Sequence, residues 1–182
     1  MLVKDLSGKG IEGVYAFKET SLAYDECGNV FEWGAKTNGR HNIELSYSLG
    51  EKINKIERGN HHYCALTNHT RLFVWGRMEY HEATIFNEPK PFEPKLIKPA
   101  QFSCGSNYVL VVDASGELWG IGSNQYGQLA SPGSKFFKEM TKISTNKIGR
   151  LSRVFCVFEC SFMQTMEEEL YFCGRHSYNS ND

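Results

Sequence analysis

The sequence predicts an all-β fold, an incomplete β-propeller of about three to four antiparallel four-stranded blades. Three observations carry that prediction. One hairpin unit is written four times along the 182 residues, anchored on Gly34, Gly76, Gly122 and Gly174 at spacings of 42, 46 and 52 residues. Periods of roughly 40–50 residues belong to propellers and repeat arrays. Aromatic residues make up 13% of the chain, with 12 Phe and 9 Tyr, which suits pleated, half-buried surfaces. The turns carry the residues that tight turns need. Ser115-Gly116, between two apolar runs, is a hairpin signal because glycine accepts the positive φ of short hairpin loops.

Taken in order, residues 1–13 form a polar lead with Gly8, Gly10 and Gly13, either a flexible tail or a partial strand of a neighbouring blade. Residues 14–182 hold the repeats. Four windows superpose without gaps: Ala23 to Gly34, Ala65 to Gly76, Val111 to Gly122 and Met163 to Gly174. Each begins with small or apolar residues, passes through a polar turn, and ends in a strand whose alternate side chains face opposite ways. One aligned position holds Val30, Leu72, Leu118 and Leu170, and the next holds Phe31, Phe73, Trp119 and Tyr171. The residue before the anchor is Trp33, Trp75, Ile121 or Cys173. At such positions Trp33 and Trp75 read as core rather than as stacking platforms. A preceding strand starts near Val14, Ile56, Phe102 and Val154. Gly59 and Gly105 match each other there, with Phe17 and Val157 in their place in the outer copies. Beyond the anchors, Asn38-Gly39, Tyr80-His81, Tyr126-Gly127 and Tyr178-Asn179 mark a further turn.

Three connections stand out. Residues 40–52 are polar and join blades. Residues 80–99 hold four of the five prolines (Pro89, Pro91, Pro94, Pro99) and predict a long extended loop with few sheet bonds, or a proline-dependent docking peptide. Residues 131–153 set Lys135, Lys138, Lys142, Lys147, Arg150 and Arg153 against Glu139 alone. Within them, Lys135 to Met140 predict a short amphipathic helical turn with Phe136 and Phe137 exposed. Glu167-Glu168-Glu169 falls on the last hairpin turn and reads as a charged turn that blunts a sheet edge.

The pattern resembles the regulator-of-chromosome-condensation repeat. Gly59-Asn60-His61-His62 supplies its glycine and histidine, Trp33-Gly34 and Trp75-Gly76 its strand end, and Gly122-Ser123-Asn124-Gln125-Tyr126-Gly127-Gln128-Leu129 its tail. The resemblance covers roughly residues 14–178 and implies a propeller of about seven four-stranded blades. Such a ring at about 50 residues per blade needs roughly 350 residues, so these 182 residues are expected to leave it open. Three arrangements satisfy that expectation: an open arc, pairing with a second arc, or capping by a large partner, with an obligate partner favoured over a lone monomer.

Charge and chemistry narrow the function. A net charge of −1 excludes a global pull toward nucleic acid or membrane, and no apolar run approaches the ~18 residues of a membrane-spanning helix. The N-terminal residues lack the apolar core of a signal peptide. The six cysteines (Cys27, Cys64, Cys104, Cys156, Cys160, Cys173) contain no C-x-x-C pair and read as reduced thiols in a cytosolic or nuclear protein. That reading makes the Asn68-His69-Thr70 glycosylation sequon idle. His61-His62 with Cys64 suggests a metal cluster, but adjacent strand residues point to opposite faces and zinc wants four converging ligands. Gly116 to Gly127 lacks the lysine of a phosphate-binding loop, and no nucleophile–base–acid arrangement is visible. The expectation is therefore no catalytic residue, no metal and no cofactor.

The function expected is a non-enzymatic protein-interaction or scaffold module, a subunit of a larger assembly. Its partner surface is assigned to Lys135, Phe136, Phe137, Lys138, Lys142, Lys147 and Arg150, since insertions on repeat blades form loops that bind. Two alternatives remain. The resemblance implies regulation of a Ran-like small GTPase, because one family member is the exchange factor for that nuclear GTPase. The basic stretch itself suggests binding to chromatin or another polyanion.

Overall fold

In the computed structural model the described residues are 6–17, 20–34, 44–78, 84–92 and 97–175. The predicted turn residues Asn38-Gly39, Tyr80-His81 and Tyr178-Asn179, with Pro94, lie outside them. The fold is all-β, with no α-helix among the described residues. The first sheet runs β1 (Ile11–Ala16), β2 (Thr20–Asp25), β3 (Asn29–Gly34), β4 (Glu44–Ser48). The second runs β5 (Ile53–Arg58), β6 (His62–Thr67), β7 (Leu72–Met78), β8 (Thr84–Phe92). The third runs β9 (Pro99–Cys104), β10 (Tyr108–Asp113), β11 (Leu118–Ser123), β12 (Phe136–Ile143). The fourth has three strands, β13 (Leu151–Val157), β14 (Cys160–Thr165) and β15 (Leu170–Gly174). Every sheet is antiparallel with neighbours in chain order, so each repeat copy folds into one blade.

The chain divides into two compact units. The first comprises the chain up to Lys55 with Thr67–His69, and the second Ile56–Leu66 with everything from Thr70. In the first unit, Leu22, Ala23, Val30 and Phe31 are buried, and Asp25 closes the β2–β3 turn by accepting from the amides of Cys27 (2.9 Å) and Asn29 (2.8 Å).

The second unit holds two cores that share one strand. Val109 and Val111 of β10 join Cys64, Leu66, Val74, Phe102 and Ile121. Tyr108, Leu110 and Val112 of the same strand join Leu118, Leu129, Leu151, Val154 and Met163. Burial on both faces explains why β10 is continuously apolar instead of alternating. Neighbouring inner strands are also laced by polar side chains. Glu57 accepts from the Ser103 hydroxyl (3.0 Å) and the Cys104 amide (2.7 Å). The Gln101 amide group accepts from Val154 N and donates to Val154 O, both at 2.8 Å. Ser103 Oγ accepts from Cys156 N (3.0 Å). These bonds satisfy backbone groups that no ladder reaches.

Two expectations are corrected. The proline-rich stretch is not a loop through its length: Thr84–Phe92 is β8, with Phe73 opposite Pro91 and Leu72 opposite Phe92. β8 is the edge of its sheet, where a proline's missing N–H costs no ladder bond. The basic stretch is not a helical turn on a loop either. Phe136–Ile143 is β12, paired with β11 from Ser123↔Phe136 to Leu118↔Ile143, and Phe136 and Phe137 are half-buried. An apolar surface beside β11 draws the phenylalanines into the sheet, and that long-range pairing outweighs local helical periodicity.

The anchor glycines have one physical role. Gly76, Gly122 and Gly174 have φ of 96°, 101° and 101°, in the region L side chains avoid. A Cβ on each would also lie 2.3, 2.4 and 2.1 Å from the carbonyl oxygens of His61, Asn107 and Glu159. Those carbonyls accept from the amides that follow the anchors: Arg77 (2.6 Å), Ser123 (2.8 Å) and Arg175 (3.0 Å).

Candidate functional site: a basic strand beside an apolar groove

The path from β11 to β12 is set by two buried amide side chains. Asn124 Nδ2 donates to the carbonyls of Ser131 (2.7 Å) and Ser134 (2.8 Å), and Asn124 Oδ1 accepts from Leu129 N (2.9 Å). Gln128, 1% exposed, donates to Ser123 Oγ (3.3 Å) and accepts from Tyr126 N (2.9 Å). Its backbone carbonyl takes the Ser161 hydroxyl (2.7 Å) and the Cys173 thiol (3.4 Å) of the next blade. The Gln-Leu pair singled out in the repeat tail is thus an interblade clasp, with Leu129 in the core.

This loop forms one wall of a groove of about 520 Å³. Ala130 and Pro132 line it from this loop, and Lys147, Ile148 and, from the fourth blade, Met163, Tyr171 and Cys173 are among the other lining residues. The lining is largely apolar. Burial pushes the Cys173 thiol up to about 11, so it stays protonated near neutrality. Tyr171 is raised by its hydrogen bond to the Glu169 carboxylate. Neither is poised for nucleophilic chemistry. Among the described residues no three His, Cys, Asp or Glu side chains converge as a metal site, and the six cysteines are free thiols.

Of the residues expected to bind, one lines this groove. Lys135 and Lys138 are exposed. Lys142 is exposed and 3.2 Å from Glu117. Phe137 packs on the core of Leu110, Leu118 and Ile143 and serves the fold. Lys147 is the one brought onto the groove. Arg150 is exposed, and its carbonyl accepts from Met166 N (3.0 Å). Sequence reasoning missed Ala130, Pro132, Met163 and Tyr171, because a groove assembled from two blades has no local spacing to betray it.

Comparison with known proteins agrees with this architecture. Residues 100–128 match the model of the Regulator of chromosome condensation (RCC1) repeat. The chain is 30% identical over 134 residues to the human Probable E3 ubiquitin-protein ligase HERC6, covering 64% of this chain and 13% of that protein. It is 25% identical over 126 residues to the human Regulator of chromosome condensation, covering 60% of this chain and 30% of that protein. Among solved structures, human WBSCR16 superposes with a TM-score of 0.77 at 17% identity, over 93% of this chain and 49% of that one. Yeast RCC1 (Prp20), solved bound to Kap60, superposes with a TM-score of 0.70 at 19% identity, over 92% of this chain and 44% of that one. The sheets are therefore blades of an RCC1-like β-propeller, and the chain spans only a minor part of these curated relatives.

Proposed function

We propose that this chain, which belongs among the RCC1-repeat proteins, is a non-catalytic protein-interaction module that seats an acidic, apolar-anchored segment of a partner on β12 and the groove beside it. One observation supports the reading: exposed Lys147 lines a largely apolar groove of about 520 Å³, and Lys135, Lys138, Lys142 and Arg150, on β12 and the segments next to it in the chain, are exposed as well. An apolar pocket with a charged rim is the usual anatomy of a docking surface, with the pocket contributing affinity and the rim steering and register. Larger relatives use such repeats as one part of a longer chain, and yeast RCC1 has been solved with a protein partner.

The test is quantitative affinity capture with mass spectrometry, comparing wild type with Lys138→Glu/Lys147→Glu and with Ile148→Asp. A partner lost from both variants supports the reading, and one retained by both removes it. Equal affinity for double-stranded DNA would transfer the surface to polyanion binding. A second reading, regulation of a Ran-like small GTPase, draws on the relation to human RCC1. Nucleotide release from a GTPase panel tests it, and no acceleration from any member removes it.

A further inference from the structure

The β13–β14 turn departs from its counterparts in the two preceding blades. The three turns are joined in a row: Asn60 N donates to Ser106 O, and Ser106 N donates to Phe158 O, both at 2.8 Å. Asn60 and Ser106 are short and polar, and neither has a positive φ. Phe158 has a φ of 52° and is 74% exposed. A bulky residue seldom takes up that backbone conformation, and glycine would hold it at less cost. Exposure also denies the ring most of the burial that would stabilise it. Val157, in line with Gly59 and Gly105, is 53% exposed beside it. Strain and exposure at one aromatic residue favour contact with another molecule over service to the fold.

The chemistry of the turn sets what it fits. Val157-Phe158-Glu159 places a carboxylate next to two apolar side chains. The groove of about 520 Å³ is the complement: Ile148, Met163 and Tyr171 are part of its apolar lining, and Lys147 is the charged residue of that lining. Ligand-sized pockets run from roughly 300 to 1,000 Å³, so the groove admits a benzyl side chain. Phe158 is not among the lining residues, and the turn therefore leaves the groove of its own chain open.

We propose that the β13–β14 turn of one copy of this chain docks in the groove of a second copy, with Phe158 and Val157 against the apolar lining and Glu159 beside Lys147. The inference rests on the groove reading above and names one partner for it. Turn and groove are different surfaces, so the contact is heterologous, and each end of a pair keeps one surface free for a further copy.

The experiment is sedimentation equilibrium of the 182-residue chain across a concentration series, with Phe158→Gly, Ile148→Asp and their equimolar mixture, each checked for native circular dichroism. The wild-type mass rises with concentration, and each variant alone stays monomeric. The mixture forms a one-to-one dimer, because Phe158→Gly keeps its groove and Ile148→Asp keeps its turn. Lys147→Glu and Glu159→Lys each weaken association about fivefold, and their combination restores it. In urea unfolding at low concentration, Phe158→Gly has a midpoint equal to the wild type's or higher. A wild-type monomer at every concentration overturns the proposal. So does a mixture that stays monomeric, self-association indifferent to Phe158→Gly, or a lowered unfolding midpoint for that variant. The groove reading stands or falls separately on affinity capture, in which Phe158→Gly keeps an intact groove.

Discussion

The ring of Tyr108 occupies the space that a side chain on Gly105 would need. A Cβ there would lie 1.9 Å from the ring. The same holds one blade earlier, where a Cβ on Gly59 would lie 2.0 Å from the His62 imidazole. Where the ring position holds Thr20 or Cys160, the glycine position holds Phe17 or Val157. Glycine therefore answers to a ring three residues later.

Gly105→Ala is expected to destabilise by about 1–3 kcal/mol, the usual cost of overpacking a filled site. The coupling is the sharper readout. Gly105→Val in a Tyr108→Cys background reproduces the Val157 and Cys160 combination, and its added cost there should be well below its cost in wild type. Urea unfolding of the four proteins measures this, and simple additivity would contradict the steric account.

Tyr108 also ties the third blade to the fourth. Its hydroxyl donates to the Cys160 carbonyl (2.7 Å) and lies 2.8 Å from Ser161 Oγ. Burial pushes its pKa upward, so it remains a neutral phenol. Tyr108→Phe keeps the ring and removes the bonds, and should cost about 1–3 kcal/mol. Amide exchange in β13 and β14 should rise more than in β6 if the loss acts at the blade junction.

His62 is the site of a pH dependence. Burial, with smaller contributions from Arg58 and His61, lowers its pKa to about 4 against the opposing pull of the Tyr108 backbone. Its ring nitrogens make no hydrogen bond within the described residues. The unfolded chain takes up the proton near pH 6.5 and the folded one near 4, so stability is fully present above about 6.5 and declines as pH falls toward 4, by roughly 3 kcal/mol in all. His62→Gln should flatten the stability profile over that window. A wild-type profile already flat there would refute the burial argument.

Asp113 acts at lower pH. Burial raises its pKa, but hydrogen bonds from Ser115, Trp119 and the Glu117 amide outweigh that and hold the carboxyl below its ordinary value. Its contribution is present above the unfolded carboxylate pKa of about 3.9 and is lost as pH falls through the folded value. Asp113→Ala leaves the turn amides and the indole unpaired and should cost about 2 kcal/mol at neutral pH, read as a lower midpoint in thermal unfolding.

The hairpins, the anchor glycines and the buried apolar runs were legible because each obeys a local rule: a turn that needs positive φ, or a strand with apolar faces. The outermost strands were not. Pro89 and Pro91 argued for a loop, and Lys135 to Met140 for a helical turn, because local preference is all that a short segment reveals. β8 and β12 are strands only because β7 and β11 hold open hydrogen-bonding edges beside them. The basic residues were visible as a charge run, whereas the groove at Lys147 requires Pro132 and Tyr171, 39 positions apart, to meet across two blades. The sequence alone thus determined the repeat, its turns and its core, since these depend on neighbours within one hairpin. The tertiary structure decided which flanking segments became strands and where a cavity formed, since both depend on surfaces that exist only after the hairpins have packed.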